Sequence, residues 1–150
     1  MTLAEQIDYD LKEAMKARDA ARLGTLRMLK SALKYAAIEK SGADAVIDDE
    51  TAVTVIRKQI KQREDAAEGF EKGGRPDSAA SERAEIAVMT VYLPAALSGE
   101  ELAAIVKEAI AETGATGKAQ MGAVMKVAQA KAAGRADGKS LSAEVQKHLA

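Results

Sequence analysis

Apolar residues recur every three or four positions along nearly the whole chain of 150 residues, and this spacing most restricts the fold. An α-helix turns once every 3.6 residues, so residues at this spacing gather on one side of it. Leu26, Leu29, Leu33 and Ala37 form the clearest such stripe. No segment alternates apolar and polar residues in the way that is typical of a strand. The sequence therefore predicts an all-α fold.

Capping residues, glycines and prolines divide the chain into seven predicted helices. Thr2 with Glu5, and Ser98 with Glu101, match the capping-box pattern in which two side chains satisfy the free N–H groups at a helix start. We expect the first and fifth helices to begin at these residues. A loop at residues 41–45 is expected to follow the second helix.

Pro94 is the predicted boundary between two parts of the chain. A proline cannot continue a helix, and the Leu93-Pro94 step ends the fourth one. We therefore expect two helical subdomains, a four-helix N-terminal part at residues 1–94 and a three-helix C-terminal part at residues 95–150.

Two helices carry further apolar stripes that predict their buried faces. On the second helix, a stripe of Met28, Tyr35 and Ile38 indicates a helix that is contacted on more than one side. On the fourth helix, five small apolar residues are expected to face inward: Ala80, Ala84, Ala87, Val88 and Val91.

The composition excludes several kinds of chemistry. The chain has no cysteine, which rules out disulfides and thiolate nucleophiles, and its one histidine, His148, lies two residues from the C-terminus. No set of histidines and carboxylates has the spacing of metal ligands. We therefore expect no catalytic residues, no metal and no cofactor. The chain also lacks a signal peptide pattern and the roughly 20 apolar residues of a membrane span, which predicts a cytoplasmic protein with no membrane partner.

Positive charge is concentrated at the end of the chain. Residues 1–93 hold 15 Lys and Arg against 17 Asp and Glu, and residues 94–114 hold 1 against 4. Residues 115–150 hold 6 against 2, a net charge of +4 in a chain whose formal net charge is −1. A basic segment in a slightly acidic chain favours an anionic partner. Because almost no aromatic residues are available for base stacking, contact with RNA would depend on backbone charge and shape.

The stretch GRADGK, residues 134–139, joins the last two predicted helices and has two interpretations. Glycines let a backbone approach a phosphate, an arginine can grip it with paired donors, and the next helix start offers free N–H groups. Alternatively, a glycine cap, an Asp-Gly turn and two solvated cations are ordinary chemistry for a loop between helices. The stretch lacks the glycine spacing of a nucleotide-binding P-loop.

Other cations of the chain also have two interpretations. Lys126 and Lys131 flank the apolar stripe of the sixth helix, where they could frame a phosphate-contacting surface or keep the helix soluble. Arg27, Lys30 and Lys34 form a stripe on the second helix, for which a solvated surface is the favoured interpretation.

Four segments, taken in order, resemble the free-standing YqeY-like proteins of the GatB/YqeY family. They read MKARDAARLGTLRMLKSALKYAAIEK (Met15 to Lys40), IRKQIKQREDAAEGFEKGGRPD (Ile56 to Asp77), VYLPAAL (Val91 to Leu97) and MGAVMKVAQAKAAGRADGKSLSAEV (Met121 to Val145). Together they extend from Met15 to Val145, so the resemblance spans nearly the whole chain. One departure is KVAQAKAAG before the loop, where relatives often carry a proline.

The resemblance implies a two-part helical protein related to the tail of the B subunit of aspartyl/glutamyl-tRNA amidotransferase. In that enzyme the tail module helps to hold tRNA while other domains carry out the kinase and amide-transfer chemistry. A family label of carbon-nitrogen ligase with glutamine as amido-N-donor can therefore attach to such proteins. This chain shows neither the phosphorylation site nor the amidase nucleophile, so we do not expect it to be catalytic alone.

The basic segment and the resemblance together predict a tRNA-interacting accessory protein. Arg135 and Lys139 are expected to be the principal contacts to the RNA backbone, and Lys126 and Lys131 the outer ones. The remaining residues of the predicted nucleic-acid-binding set are Lys118, Gly134 and Gly138.

Two other hypotheses remain open from the sequence. The near-neutral N-terminal part suits a helical protein-interaction adaptor. The chain could also be an accessory component of an amidotransferase complex, with that enzyme or another protein as its partner.

Overall fold

The computed structural model describes residues 1–42 and 45–149, and in these ranges the chain is helical without strands. The residues that the structure describes form seven α-helices: α1 Leu3–Lys16, α2 Ala20–Ser41, α3 Asp49–Lys72, α4 Pro76–Thr90, α5 Gly99–Thr113, α6 Met121–Ala132 and α7 Gly138–His148. A 3-10 turn, Lys118–Gln120, precedes α6. The predicted all-α fold is confirmed. The loop expected at residues 41–45 includes residues 43 and 44, which lie outside the described residues.

Both predicted capping boxes are present. The Thr2 N–H donates to Glu5 Oε2 at 2.8 Å, and the Glu5 N–H donates to Thr2 Oγ1 at 3.2 Å. Ser98 and Glu101 make the same reciprocal pair at 3.3 and 3.1 Å. These bonds satisfy N–H groups that have no partner within the helix, which fixes where α1 and α5 begin.

Contacts divide the chain into two compact units, Met1–Leu93 and Pro94–Ala150. The helices α1 to α4 belong to the first unit, and α5 to α7 belong to the second. Each unit encloses its own apolar core. The division into helical subdomains at residues 1–94 and 95–150 stays a prediction.

The core of the first unit is formed around the predicted stripe of α2. Leu26 and Leu29 are fully buried there, together with Ile7 of α1 and Ile56 of α3. Each such side chain contributes roughly 1.5 to 3 kcal/mol when it leaves water. The α2 stripe is therefore confirmed as the face around which the other helices pack.

The predicted buried face of α4 is wrong for four of its five residues, and only Val88 packs, partly buried, against the core. Ala80, Ala84 and Ala87 are exposed, and Val91 keeps 72% of its surface in solvent. The helix instead packs through a different face, whose buried or partly buried members are Ala79, Ile86 and Met89. Isoleucine and methionine bury more apolar area than alanine, so this face gains more from the core than the regular alanine stripe would.

The second stripe of α2 is also wrong in part. Met28 packs against the core, whereas Tyr35 is 71% exposed and Ile38 is 39% exposed. The helices α1, α3 and α4 all contact α2, and its buried residues are those of the inner stripe, whereas Tyr35 and Ile38 lie outside that stripe.

A buried polar contact ties the end of α4 to α1. The Tyr92 hydroxyl donates to Asp10 Oδ2 at 2.6 Å, and Gln6 Nε2 donates to the other oxygen of that carboxylate at 3.0 Å. Burial of the ring, and then the hydrogen bond to the Asp10 carboxylate, raises the pKa of Tyr92. The neutral phenol is therefore the stable form in the folded chain.

The second unit is a small three-helix core. Its buried residues come from all three helices: Val106, Ala109, Val124, Ala128, Ala132, Leu141, Val145 and Leu149. Met121 and Met125 are partly buried against them. The apolar stripe of α6 therefore faces this core, as its spacing indicates.

Candidate nucleic-acid interface

The GRADGK loop turns sharply between α6 and α7. Ala133 and Gly134 both have the left-handed backbone conformation, with φ of 50° and 79°. A positive φ is easy for glycine and strained for alanine, so the chain turns with one costly residue followed by one that suits the position. Asp137 then caps α7, because its Oδ1 accepts the Ser140 N–H at 2.6 Å. Gly138 is the exposed first residue of α7.

Arg135 is held against the segment that precedes α5. Its Nε donates to the Ala95 carbonyl at 2.9 Å, and its Nη2 lies 3.3 Å from Glu101 Oε2. The Leu97 N–H also donates to the Arg135 carbonyl at 3.1 Å. The side chain keeps 40% of its surface exposed. Because a guanidinium has five N–H donors, these two side-chain contacts orient it without using all of them.

Glu101 has two roles in this corner of the second unit. Its hydrogen bonds with Ser98 complete the capping box of α5 and, more than the Arg135 charge, lower the pKa of Glu101. The carboxylate is therefore ionised at neutral pH. An anion that approaches Arg135 must compete with this carboxylate.

Lys131 is also paired with carboxylates. Its Nζ lies 2.7 Å from Glu112 Oε1 and 3.5 Å from Glu108 Oε2, and 26% of its side chain is exposed. The hydrogen bond to Glu112 is the main reason that the pKa of Lys131 is raised. The residue bridges α6 to α5, so its charge is largely neutralised within the unit.

Three other cations of the second unit remain available. Lys118, Lys126 and Lys139 are exposed, and none makes an ion pair or a side-chain hydrogen bond within the described part of the chain. Lys118 lies in the 3-10 turn before α6, and Lys139 lies in the first turn of α7. Lys126 lies on the face of α6 opposite the buried Val124 and Ala128.

The sequence missed the acidic partners of the basic segment. Glu101, Glu108 and Glu112 all lie on α5, and each pairs with a cation that belongs to the predicted site. The sequence does contain a sign of these acidic partners. Residues 94–114 carry one basic and four acidic residues, and they precede the basic segment. In a three-helix unit, neighbouring segments of opposite charge are expected to meet.

No cluster of three or more histidines, cysteines or carboxylates that could hold a metal occurs among residues 1–42 and 45–149. Within these ranges, no helix combines the length and the apolar character needed to cross a bilayer.

The fold and the charges define a class of small two-unit helical protein with a compact basic segment at its C-terminal end. A family model described as Yqey-like protein matches residues 4–149, and the chain belongs to this family.

Curated relatives of the chain include fungal proteins called Altered inheritance of mitochondria protein 41, mitochondrial. The protein from Eremothecium gossypii is 33% identical over 100 residues, which cover 65% of this chain and 54% of the relative. That from Lachancea thermotolerans is 38% identical over 84 residues, or 56% of this chain and 44% of the relative. The protein from Kluyveromyces lactis is 34% identical over 104 residues, which cover 67% of this chain and 55% of the relative. The matched region spans about half the length of these relatives.

Proposed function

We propose that this YqeY-like protein is a non-catalytic accessory protein that binds the phosphate backbone of a structured RNA such as tRNA. The contact surface is the basic segment of the second unit. The observation that carries the proposal is that Lys118, Lys126 and Lys139 are exposed and unpaired within the described residues. These three lysines lie in a segment whose net charge is +4.

The lysines suit backbone recognition because a lysine ammonium is a mobile point charge that needs no fixed geometry. Each phosphate that it neutralises releases condensed counterions, which makes binding weaken steeply with salt. Three contacts give a slope of about −2 to −3 in a plot of log affinity against log salt concentration. Base identity contributes little to such an interface, so shape and charge select the RNA.

Arg135 has a different role in the proposal from that of the lysines. Glu101 and the Ala95 carbonyl hold the guanidinium at the surface, with N–H donors left for a phosphate. Gly134 and Gly138 on either side keep the backbone of the loop open to a close approach. Lys131 contributes less than its position in the sequence suggests, because Glu112 and Glu108 already neutralise it.

The choice of tRNA as the partner rests on the family resemblance. Resemblance to the tail module of the tRNA amidotransferase B subunit favours tRNA over other folded RNAs, and an accessory role in tRNA-dependent amidation follows from the same resemblance. The cytoplasmic location also stays a prediction.

The proposal is tested by tRNA binding at two salt concentrations. The variant Lys126→Ala/Lys139→Ala removes two of the free cations, and Lys12→Ala/Lys58→Ala is the matched control from the first unit. Lys12 and Lys58 are likewise exposed and without an ion pair in the described ranges. We expect the first variant to lower the salt slope by about 1.5 to 2, and the control to leave it unchanged. Equal slopes for wild type and Lys126→Ala/Lys139→Ala would remove the assignment.

A further inference from the structure

We infer that the outer face of α2 binds a single strand of nucleic acid, with a base stacked on Tyr35 and phosphates held by Arg27 and Lys34. This surface belongs to the first unit and is independent of the RNA contact proposed for the second unit. Its residues come from one helix, so the surface is complete without any other element.

The position of these residues follows from the burial pattern of α2. Leu26, Leu29 and Leu33 form the buried side of the helix. Arg27 and Lys34 lie on the opposite half and are exposed. They are seven residues apart, which places their Cα atoms about 10 Å apart along the helix axis.

Arg27 and Lys34 have no anionic partner in the described residues. Neither makes an ion pair or a side-chain hydrogen bond there. Lys30, the third member of the same stripe, contacts Asp8 Oδ1 at 2.7 Å. Within this stripe, Asp8 therefore neutralises Lys30, whereas the charges of Arg27 and Lys34 face solvent.

Tyr35 supplies a flat surface beside Lys34. Its side chain is 71% exposed, and its hydroxyl makes no hydrogen bond within the described residues. By contrast, Tyr92 is buried and its hydroxyl binds Asp10. A ring that contributes so little to the core is free to stack on a base, and any base can do so because each has a π-face.

The chemistry of the face favours nucleic acid over an acidic polypeptide. A protein interface is organised around a dry core of contiguous apolar side chains with charges at the rim. Gly24, Ser31 and Tyr35 occupy the middle of this face. The two cations lie along one edge, the exposed Glu39 lies along the other, and Ile38 is 39% exposed. An exposed ring with two unpaired cations to one side of it instead resembles the stacking platforms and cationic grooves that hold single strands.

The test uses a fluorescein-labelled hexa-adenylate strand and the full chain, with anisotropy as the readout. We expect Tyr35→Ala to weaken binding by about tenfold, within the range that loss of one stacked base produces. Tyr35→Phe keeps the ring and should retain the affinity of the wild type. Tyr9→Ala is the matched control, since Tyr9 is also exposed but lies on α1.

The cations are tested by salt dependence in the same assay. Arg27→Ala/Lys34→Ala should lower the salt slope by about 1.4, the value for two contacts to a single strand. Equal loss of affinity in Tyr35→Ala and Tyr9→Ala would overturn the inference. So would binding of a labelled hexaglutamate peptide that depends on Tyr35 when hexa-adenylate binding does not. Because Lys126 and Lys139 are unchanged in these variants, failure here leaves the RNA contact of the second unit standing.

Discussion

Arg135 Nη2 lies 3.3 Å from Glu101 Oε2, so the only arginine of the basic segment is paired with a carboxylate from the start of α5. The same guanidinium donates to the Ala95 carbonyl. The pair orients Arg135 at the surface, and its carboxylate also competes with an incoming phosphate. Substituting Glu101 separates these two effects.

Glu101→Gln should strengthen tRNA binding several-fold at low salt. Glutamine is accepted at this position of a capping box, so α5 keeps its start while the competing negative charge is removed. The gain should shrink as salt screens the charge. Anisotropy with labelled tRNA measures it, and Arg135→Ala/Glu101→Gln serves as the control in which no gain is expected. Weaker binding by Glu101→Gln alone would mean that the carboxylate mainly positions the guanidinium.

Lys131→Met should lower the melting temperature of the protein slightly and leave tRNA affinity nearly unchanged. Its ammonium is shared between Glu112 and Glu108, so its removal leaves two carboxylates on α5 without their cation. Methionine keeps an apolar stem of similar length, so the change removes mainly the charge. Circular dichroism melts measure the first effect, with Lys126→Met as the control for the loss of a positive charge. A loss of affinity as large as that of Lys126→Met would contradict the assignment of Lys131 to the fold.

Tyr92→Phe should reduce the free energy of unfolding by about 1.5 to 3 kcal/mol, the range for a hydrogen bond to a charged group. The Tyr92 hydroxyl is 2.6 Å from Asp10 Oδ2, and the ring is buried. Phenylalanine fills the same space but leaves that oxygen of Asp10 with only the Arg22 guanidinium, whose Nη2 lies 3.9 Å away. Urea denaturation measures the difference, and Tyr9→Phe is the matched control because Tyr9 is half exposed.

The same pair has a defined effect at alkaline pH. The pKa of Tyr92 is raised in the folded chain, so its contribution to stability is fully present below the ordinary tyrosine pKa of about 10. That contribution is lost as the pH rises toward and through the higher pKa of the folded state. Tyr92→Phe should therefore lose less stability than the wild type between pH 9 and about pH 12, and parallel stability curves would contradict the assigned bond.

Glu71→Gln should flatten the acid side of the stability curve. The hydrogen bond and charge of Arg83 lower the pKa of Glu71 in the folded chain. Stability from this pair is present above the ordinary glutamate pKa of about 4.3 and is lost as the pH falls through the lower folded value. Melts from pH 7 to pH 2 test it. Glu64→Gln is the control, because Glu64 is exposed and has no ion pair within the ranges described; an equal change in both variants would contradict the role of Arg83.

Local rules were enough to predict the helices, because helix starts and apolar stripes depend on residues a few positions apart. The capping boxes at Thr2 and Ser98, and the stripe of α2 around Leu29, are confirmed for that reason. The buried face of α4 depends instead on which side chains gain most against α2 and α3. Spacing alone favoured the alanine stripe, and the larger Ile86 and Met89 decided the packing.

From the sequence, the cationic residues of the candidate site could be named, but which of them are paired with carboxylates could not be predicted. Composition located the charge in the last segment, but pairing is a property of three dimensions. The sequence ranked Arg135 first, whereas the structure pairs it with Glu101 and leaves Lys126 and Lys139 unpaired within the described residues. The separation of free from neutralised cations required the position of α5.

The most direct test of the central claim is amide chemical-shift mapping of the full chain with unlabelled tRNA in low salt. We expect the largest chemical-shift changes at the amides of Lys118, Lys126 and the loop at residues 134–139. These shifts should return to their free values when the salt concentration is raised. Saturable tRNA binding that leaves every assigned amide of residues 94–149 unchanged would contradict it.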